Sequence, residues 1–191
     1  MDWLYGLTEG YRKRQWAKAK RQPVIRAPWK GWSECHRIGI LFDASEDRLA
    51  LDAMREVVDY FKARQRHVLL CGWTGGLRPK HALYAGRQLI FIDDFTPLGK
   101  VKSGNALEFI QSEFDVIISL QRNDKLPLDD LARRASTGLR VTIGGKEDFY
   151  DLIMAEPKNL LAELIPLFEE TYTWLHRIQP HQSCLHPQEQ A

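Results

Sequence analysis

Cysteine is scarce in this sequence: Cys35, Cys71 and Cys184 are the only three among 191 residues. An odd number at wide spacing builds no disulfide framework and fits a reducing compartment. Long apolar runs are missing too, and no stretch approaches the ~20 residues of a membrane-spanning helix. The first residues lack the apolar centre of a secretion signal, because Arg12, Lys13 and Arg14 interrupt it. A cytoplasmic location is the expectation. Neither an internal repeat nor a low-complexity tract is present, which leaves one ordinary globular domain as the reading at this length. The motif G-x-x-x-x-G-K-[ST] occurs nowhere, and G-x-G-x-x-G does not follow the first expected strand. There is no G-x-S-x-G elbow and no Cys and His pair that periodicity brings together. Nucleotide hydrolysis and nucleophilic catalysis therefore have no motif behind them.

What is present is an ordinary share of apolar residues, 44%, with 27% charged. Such a chain can bury a proper core without covalent staples. The net charge of +2 conceals an asymmetry: residues 1–37 hold nine Lys and Arg against Asp2, Glu9 and Glu34, a net +6, so the remainder carries −4. A basic arm on a mildly acidic body is suited to a polyanion. The arm is also aromatic, with Trp3, Trp16, Trp29 and Trp32 among the six tryptophans of the chain.

Trp3, Leu7 and Tyr11 recur at helical spacing and predict a helix from Asp2 to about Gln22. Pro23 and Pro28 break it. From Arg37 the pattern changes. The apolar run Ile38 to Phe42 suits a strand buried on both faces. Ser45 reads as an N-cap with Glu46 and Asp47 in the first turn of a helix to about Arg64. Further strands are expected at 67–72, 88–92, 115–120, 139–143 and 149–154, with helices at 105–111, 127–135 and 159–178, the last opened by Pro157. Strands alternating with helices predict a doubly wound, mostly parallel Rossmann-like sheet of five to six strands, in the order 3-2-1-4-5-6, with the two most apolar strands, the first and fourth, adjacent at its centre. The expected organisation is a basic Trp-rich arm over 1–36, an α/β domain over 37–178 with a long C-terminal helix, and a polar tail over 179–191.

Ligands of such sheets bind beyond the carboxyl ends of the strands, at the switch point between the first and fourth. The residues expected there are Asp43, Ser45, Gln121 and Arg122, followed by Asn123 and Asp124. They suit a small polar ligand, and helix capping and turns explain the same residue types. Gly75-Gly76 with Arg78 and Lys80, and Gly144-Gly145-Lys146, could offer backbone N–H groups to an anion or simply make turns. His176, His181, Cys184 and His186 match no zinc module, so no metal and no cofactor are predicted. The arm stands out most. Arg12, Lys13, Arg14, Lys18, Lys20, Arg21, Arg26 and Lys30 run without one acidic residue between them. Lysine and arginine neutralise phosphates, and Trp16 and Trp29 suit stacking on unpaired bases. The same tryptophans could instead pack on the body or a protein partner, or Trp3, Leu4, Leu7 and Tyr11 could lie in a membrane surface.

Three resemblances accompany these readings. The basic arm, Ile38-Gly39-Ile40-Leu41-Phe42-Asp43-Ala44, Asp94-Phe95-Thr96-Pro97-Leu98-Gly99 with Lys100 and Lys102, Glu113-Phe114-Asp115-Val116-Ile117-Ile118-Ser119-Leu120 and Phe149-Tyr150-Asp151-Leu152-Ile153 resemble an uncharacterised domain family of short α/β proteins common in Bacteroidota. That resemblance brings no activity. Phe114 to Gln121, with the helix and strand after it, is similar to the N-terminal half of heptosyltransferase-type glycosyltransferases, which need a second Rossmann-like domain that this chain has no length for. Ile40 to Asp47 resembles the opening of universal stress proteins, whose later glycine-rich ATP motif is missing here.

The expectation is a non-catalytic binding protein that docks through its arm to a larger partner. RNA, as on the ribosome, is the leading class, ahead of a protein partner or a membrane surface. The alternative is a small-molecule-binding domain, or a vestigial glycosyltransferase-like enzyme, with its site at the carboxyl edge of the sheet.

Overall fold

The computed structural model describes residues 2–19, 23–45, 49–79, 89–121, 126–144, 149–159 and 162–178, with backbone alone at 2–9, 19 and 49–51. Six strands form one sheet: β1 (Arg37–Asp43), β2 (His67–Trp73), β3 (Leu89–Ile90), β4 (Glu113–Ser119), β5 (Ser136–Ile143) and β6 (Leu152–Met154). Five α-helices are found among the described residues: α1 (Asp2–Ala19), α2 (Leu49–Lys62), α3 (Gly104–Gln111), α4 (Leu126–Arg134) and α5 (Leu164–Arg177). The strand order is β3-β2-β1-β4-β5-β6, and every pairing is parallel. This is the doubly wound order expected from the alternation of elements, with β1 and β4 at the centre.

Both faces of the sheet are covered, as parallel sheets require. On one face Ile38, Ile40 and Phe42 of β1, with Val116 and Ile118 of β4, pack under Met54, Val57 and Phe61 of α2 and Leu167 and Phe168 of α5. On the other, Leu41, Cys71 and Ile117 pack under α3, α4 and Trp16 of α1. Gly39 faces α3, and a Cβ there would lie 2.9 Å from the Phe109 ring. The bare backbone lets that ring rest on the strand.

Several elements differ from the sequence reading, each for a visible reason. β3 is two residues long, because Asp94 accepts the Phe91 N–H at 2.9 Å and closes a 3-10 turn over Ile92–Asp94. β6 begins at Leu152 rather than 149, since Asp151 is held across β5: its N–H meets the Arg140 carbonyl at 2.8 Å and its carboxylate takes the Arg140 N–H at 2.8 Å. α5 begins at Leu164, not near Asn159. Pro166 sits in its first turn, where a proline is tolerated, but its ring would clash with the Ala162 carbonyl of any earlier turn. Residues 179–191, read as a polar tail, lie outside the described residues.

Packing crosses residue 36. Trp29, Trp32 and Cys35 belong to the layer under α2 and α5, and Trp16 to the opposite layer. The Trp29 indole donates to the Ile178 carbonyl at 3.1 Å. The Trp32 ring meets Tyr172 edge-on at 5.2 Å. β6 pairs only with Val141–Ile143, so the first half of β5 has an open edge. Residues 25–27 close it, with a parallel bridge from Arg26 to Thr137 and the Ala27 N–H on the Thr137 carbonyl at 2.9 Å.

Candidate functional site

The buried line of α1 is Arg12 and Trp16, one turn apart, each 6% exposed. Tyr11, which recurs with Trp3 and Leu7 at helical spacing, lies off this line and is 46% exposed; the side chains of Trp3, Leu4 and Leu7 lie outside the described residues. The Trp16 ring inserts edge-on between Trp73 and Phe95, at 6.2 and 5.4 Å. Its Nε1–H donates to the Gly99 carbonyl at 3.0 Å. That carbonyl is presented by a tight turn, in which the Gly99 N–H reaches Thr96 O and the Lys100 N–H reaches Thr96 Oγ1. Gly99 has φ +75°, and a Cβ there would press on Trp16 Nε1 at 3.2 Å. Glycine is thus required twice. The segment Asp94 to Gly99, marked in the sequence only by resemblance, is the socket for the arm.

Trp16 and Trp29 are therefore occupied by the body, which removes the exposed faces that base stacking needs. The cations are placed differently. Lys13, Arg14, Lys18 and Lys30 face solvent, and Arg26 pairs with Asp151 at 2.7 Å. Arg12 is the buried exception. Lys20 and Arg21 lie outside the described residues. Among the described residues, neither Arg14, Lys18 nor Lys30 has a carboxylate partner.

A cleft of about 400 Å³ opens beside this helix. Tyr11, Gln15 and Trp16 of α1 form one wall, Leu98, Gly99 and Lys100 of the turn another, and Asp130 and Arg134 of α4 the third. Asp130 is nearly buried and lies 3.4 Å from the Arg134 guanidinium. Burial pushes its carboxyl above the usual range, and Arg134 opposes that only in part. Gln15, Leu98, Lys100, Asp130 and Arg134 were not singled out as a group by the sequence, since three distant segments supply them.

The carboxyl edge is the second candidate. Leu41 pairs with Ser119, the last residue of β4, and the Leu120 N–H reaches the Leu41 carbonyl at 2.8 Å; Asp43 closes β1 and Gln121 lies two residues beyond β4. The Asp43 carboxylate accepts from Ser45 twice, from N–H at 3.0 Å and from Oγ at 2.6 Å. Gln121 is buried and donates its amide to Asp129, which is 1% exposed. Ser119 and Thr142, opposite each other in register, are fully buried, and their hydroxyls have no partner among the described residues. Arg122, Asn123 and Asp124 lie outside the described residues.

The remaining motifs serve the fold. Gly75, at φ +73°, and Gly76 make the turn after β2. Arg78 is held by Asp94 at 2.8 Å. The Gly144 N–H bonds the Met154 carbonyl. Lys80, Gly145, Lys146, His181, Cys184 and His186 lie outside the described residues, and His176 rests against Tyr172. Among the described residues no group of three or more metal-ligating side chains is found, and no helix is long and apolar enough to cross a membrane. Burial raises the Cys35 thiol to about 12 and the Cys71 thiol well above its usual range, so neither is a nucleophile near neutral pH.

One buried charge was not anticipated. Arg140, in the middle of β5, has no exposed surface. It donates to the carbonyls of Ala132 (2.7 Å), Ala135 (2.9 Å) and Ile25 (2.6 Å). The first two close the C-terminal end of α4, where a cation is favoured; the third fastens the arm. Burial, then the nearby Arg26, lowers it to about 10, so it stays charged at neutral pH. A lone arginine inside an apolar strand run was the signal available.

Residues 11–169 match the Family of unknown function (DUF6913), and the chain belongs to that family. No curated protein and no solved structure matches it.

Proposed function

We propose that this member of the family is a non-catalytic binding protein that meets RNA with the outward cations of its docked arm. The supporting observation is the division of labour on α1. Trp16 anchors the helix in a socket of the body, while Lys13, Arg14 and Lys18 face solvent. A fixed helix presents these charges at constant spacing, so less ordering entropy opposes binding than for a loose tail. A strand of the ribosome or another cytoplasmic RNA is the partner this reading favours. Binding is electrostatic in the main, and its affinity falls with salt at about −0.7 log units per phosphate contact on single strands. Titrating the full chain into a labelled 12-nucleotide RNA across a salt series tests it. Absence of binding at low salt would end the reading.

A second reading has one specific observation in its favour. β1 and β4, whose carboxyl ends carry Asp43 and lead to Gln121, are neighbours at the switch point, where doubly wound sheets bind ligands. A small polar molecule there, in a vestigial glycosyltransferase-like site, would be seen by native mass spectrometry of the purified protein. Asp43→Ala should then release it without unfolding the chain.

A further inference from the structure

We propose that the cleft between α1, the turn at 96–100 and α4 takes one unpaired nucleotide, its phosphate on Lys100 and Arg134 and its base on the Tyr11 ring. This rests on the RNA reading of the arm and adds a recognition site to it.

The size comes first. About 400 Å³ is at the lower end of the ~300–1,000 Å³ of small-molecule sites, enough for a nucleotide and far too little for a duplex. The charge comes next. Arg14 and Lys18 lie one turn apart on α1 and flank Tyr11 and Gln15 by helical spacing. Lys100 and Arg134 place two cations in the lining, against one nearly buried carboxylate, Asp130, and the exposed Arg14 and Lys18 follow on α1. Arg134 has five N–H donors. Its contact with Asp130, at 3.4 Å, occupies one of them loosely, so the rest of the fork can take a phosphate. Lys100 is exposed, and its ammonium has no partner among the described residues.

The apolar surface is the third observation. Tyr11 and Leu98 are 46% and 51% exposed, two of the six large hydrophobic residues left open among the described residues, and both line this cleft. A flat aromatic body with an acidic group satisfies the two kinds of wall together. Tyr11, unlike Trp16, offers a ring that the body does not cover.

The test uses the full chain with two probes, a labelled 12-nucleotide polyuridylate and the four ribonucleoside 5′-monophosphates. Tyr11→Ala should weaken the oligonucleotide about 5- to 140-fold, the equivalent of ~1–3 kcal/mol at ~1.4 kcal/mol per tenfold, with the salt slope unchanged. Tyr11→Phe should retain binding. Lys100→Ala should lower the slope by about 0.7. Both positions are exposed, so an unchanged melting temperature shows that the variants are folded. If the oligonucleotide binds and Tyr11→Ala and Lys100→Ala leave its affinity within about twofold, the cleft proposal falls and the arm reading stands. If the wild-type chain binds neither probe, both fall. Monophosphate binding that Tyr11→Ala abolishes supports the site with a free nucleotide as its source; oligonucleotide binding alone that the variant weakens supports it with RNA as the source.

Discussion

On α1, Trp16 is packed between Trp73 and Phe95 while Arg14 and Lys18, within two residues of it, face water without carboxylate partners among the described residues. At the carboxyl edge of the sheet the arrangement is reversed. Gln121 and Asp129 are buried against each other, and the Asp43 carboxylate is turned onto Ser45. The Gln121–Asp129 hydrogen bond is explained by folding, because losing it would leave a buried group unpaired at about 1–3 kcal/mol, although Gln121 Oε1 and the Ser119 and Thr142 hydroxyls have no partner among the described residues. A row of exposed cations is not explained by folding, since their mutual repulsion works against the compact state. The comparison teaches that charge left over after the fold is satisfied points to a partner more directly than a polar residue at a conventional ligand position.

The harshest way to break the comparison is to remove residues 1–36. Three buried tryptophans go with them, each worth about 3–5 kcal/mol against a total stability of ~5–15 kcal/mol. Loss of the cooperative thermal transition is expected. A truncated chain that melts within a few degrees of the full one would make the arm an appendage.

Arg140→Ala is next. It removes three charge-assisted hydrogen bonds from the interior and detaches the C-terminal end of α4 from the arm. A loss of at least ~3 kcal/mol is expected in urea unfolding. Arg140→Lys should fail to restore it, because one ammonium does not reproduce the planar fork.

A smaller effect concerns Asp130. Its folded carboxyl is raised by burial, so the stability it contributes is fully present below its unfolded pKa and is lost as pH rises through the folded value. Asp130→Asn should therefore gain melting temperature relative to the parent chain on going from acid to neutral pH. An unchanged profile would mean that water reaches the carboxylate. The smallest effect is chemical. Iodoacetamide at pH 7 should leave Cys35 and Cys71 unlabelled in the folded chain, and mass spectrometry of digested peptides checks it.

The sheet was legible in the sequence because parallel strands buried on both faces read as unbroken apolar runs. Ile38 to Phe42 and Val116 to Ile118 told the order and the centre. The short β3 and the late start of α5 were not, since they depend on where Asp94 and Pro166 direct the backbone. The adjacency of β1 and β4, beyond whose carboxyl ends Asp43 and Gln121 are found, followed from the strand order. The arm was legible in composition and its helix in periodicity, but its docking face was not. Its docking face is set by partners such as Gly99, 83 residues away, which no local pattern contains. The cleft was hidden for the same reason, and Arg140 was marked only as a lone charge in an apolar run, which does not tell what it bonds.

The central claim is that the arm turns Trp16 inward and its cations toward RNA. It is tested most directly by the salt dependence of RNA binding in the full chain and in its Lys13→Ala, Arg14→Ala, Lys18→Ala triple variant. The account predicts an unchanged melting temperature and a log–log slope shallower by about two units, at ~0.7 for each phosphate that is no longer neutralised. Equal affinity and equal slope in the two proteins would contradict it.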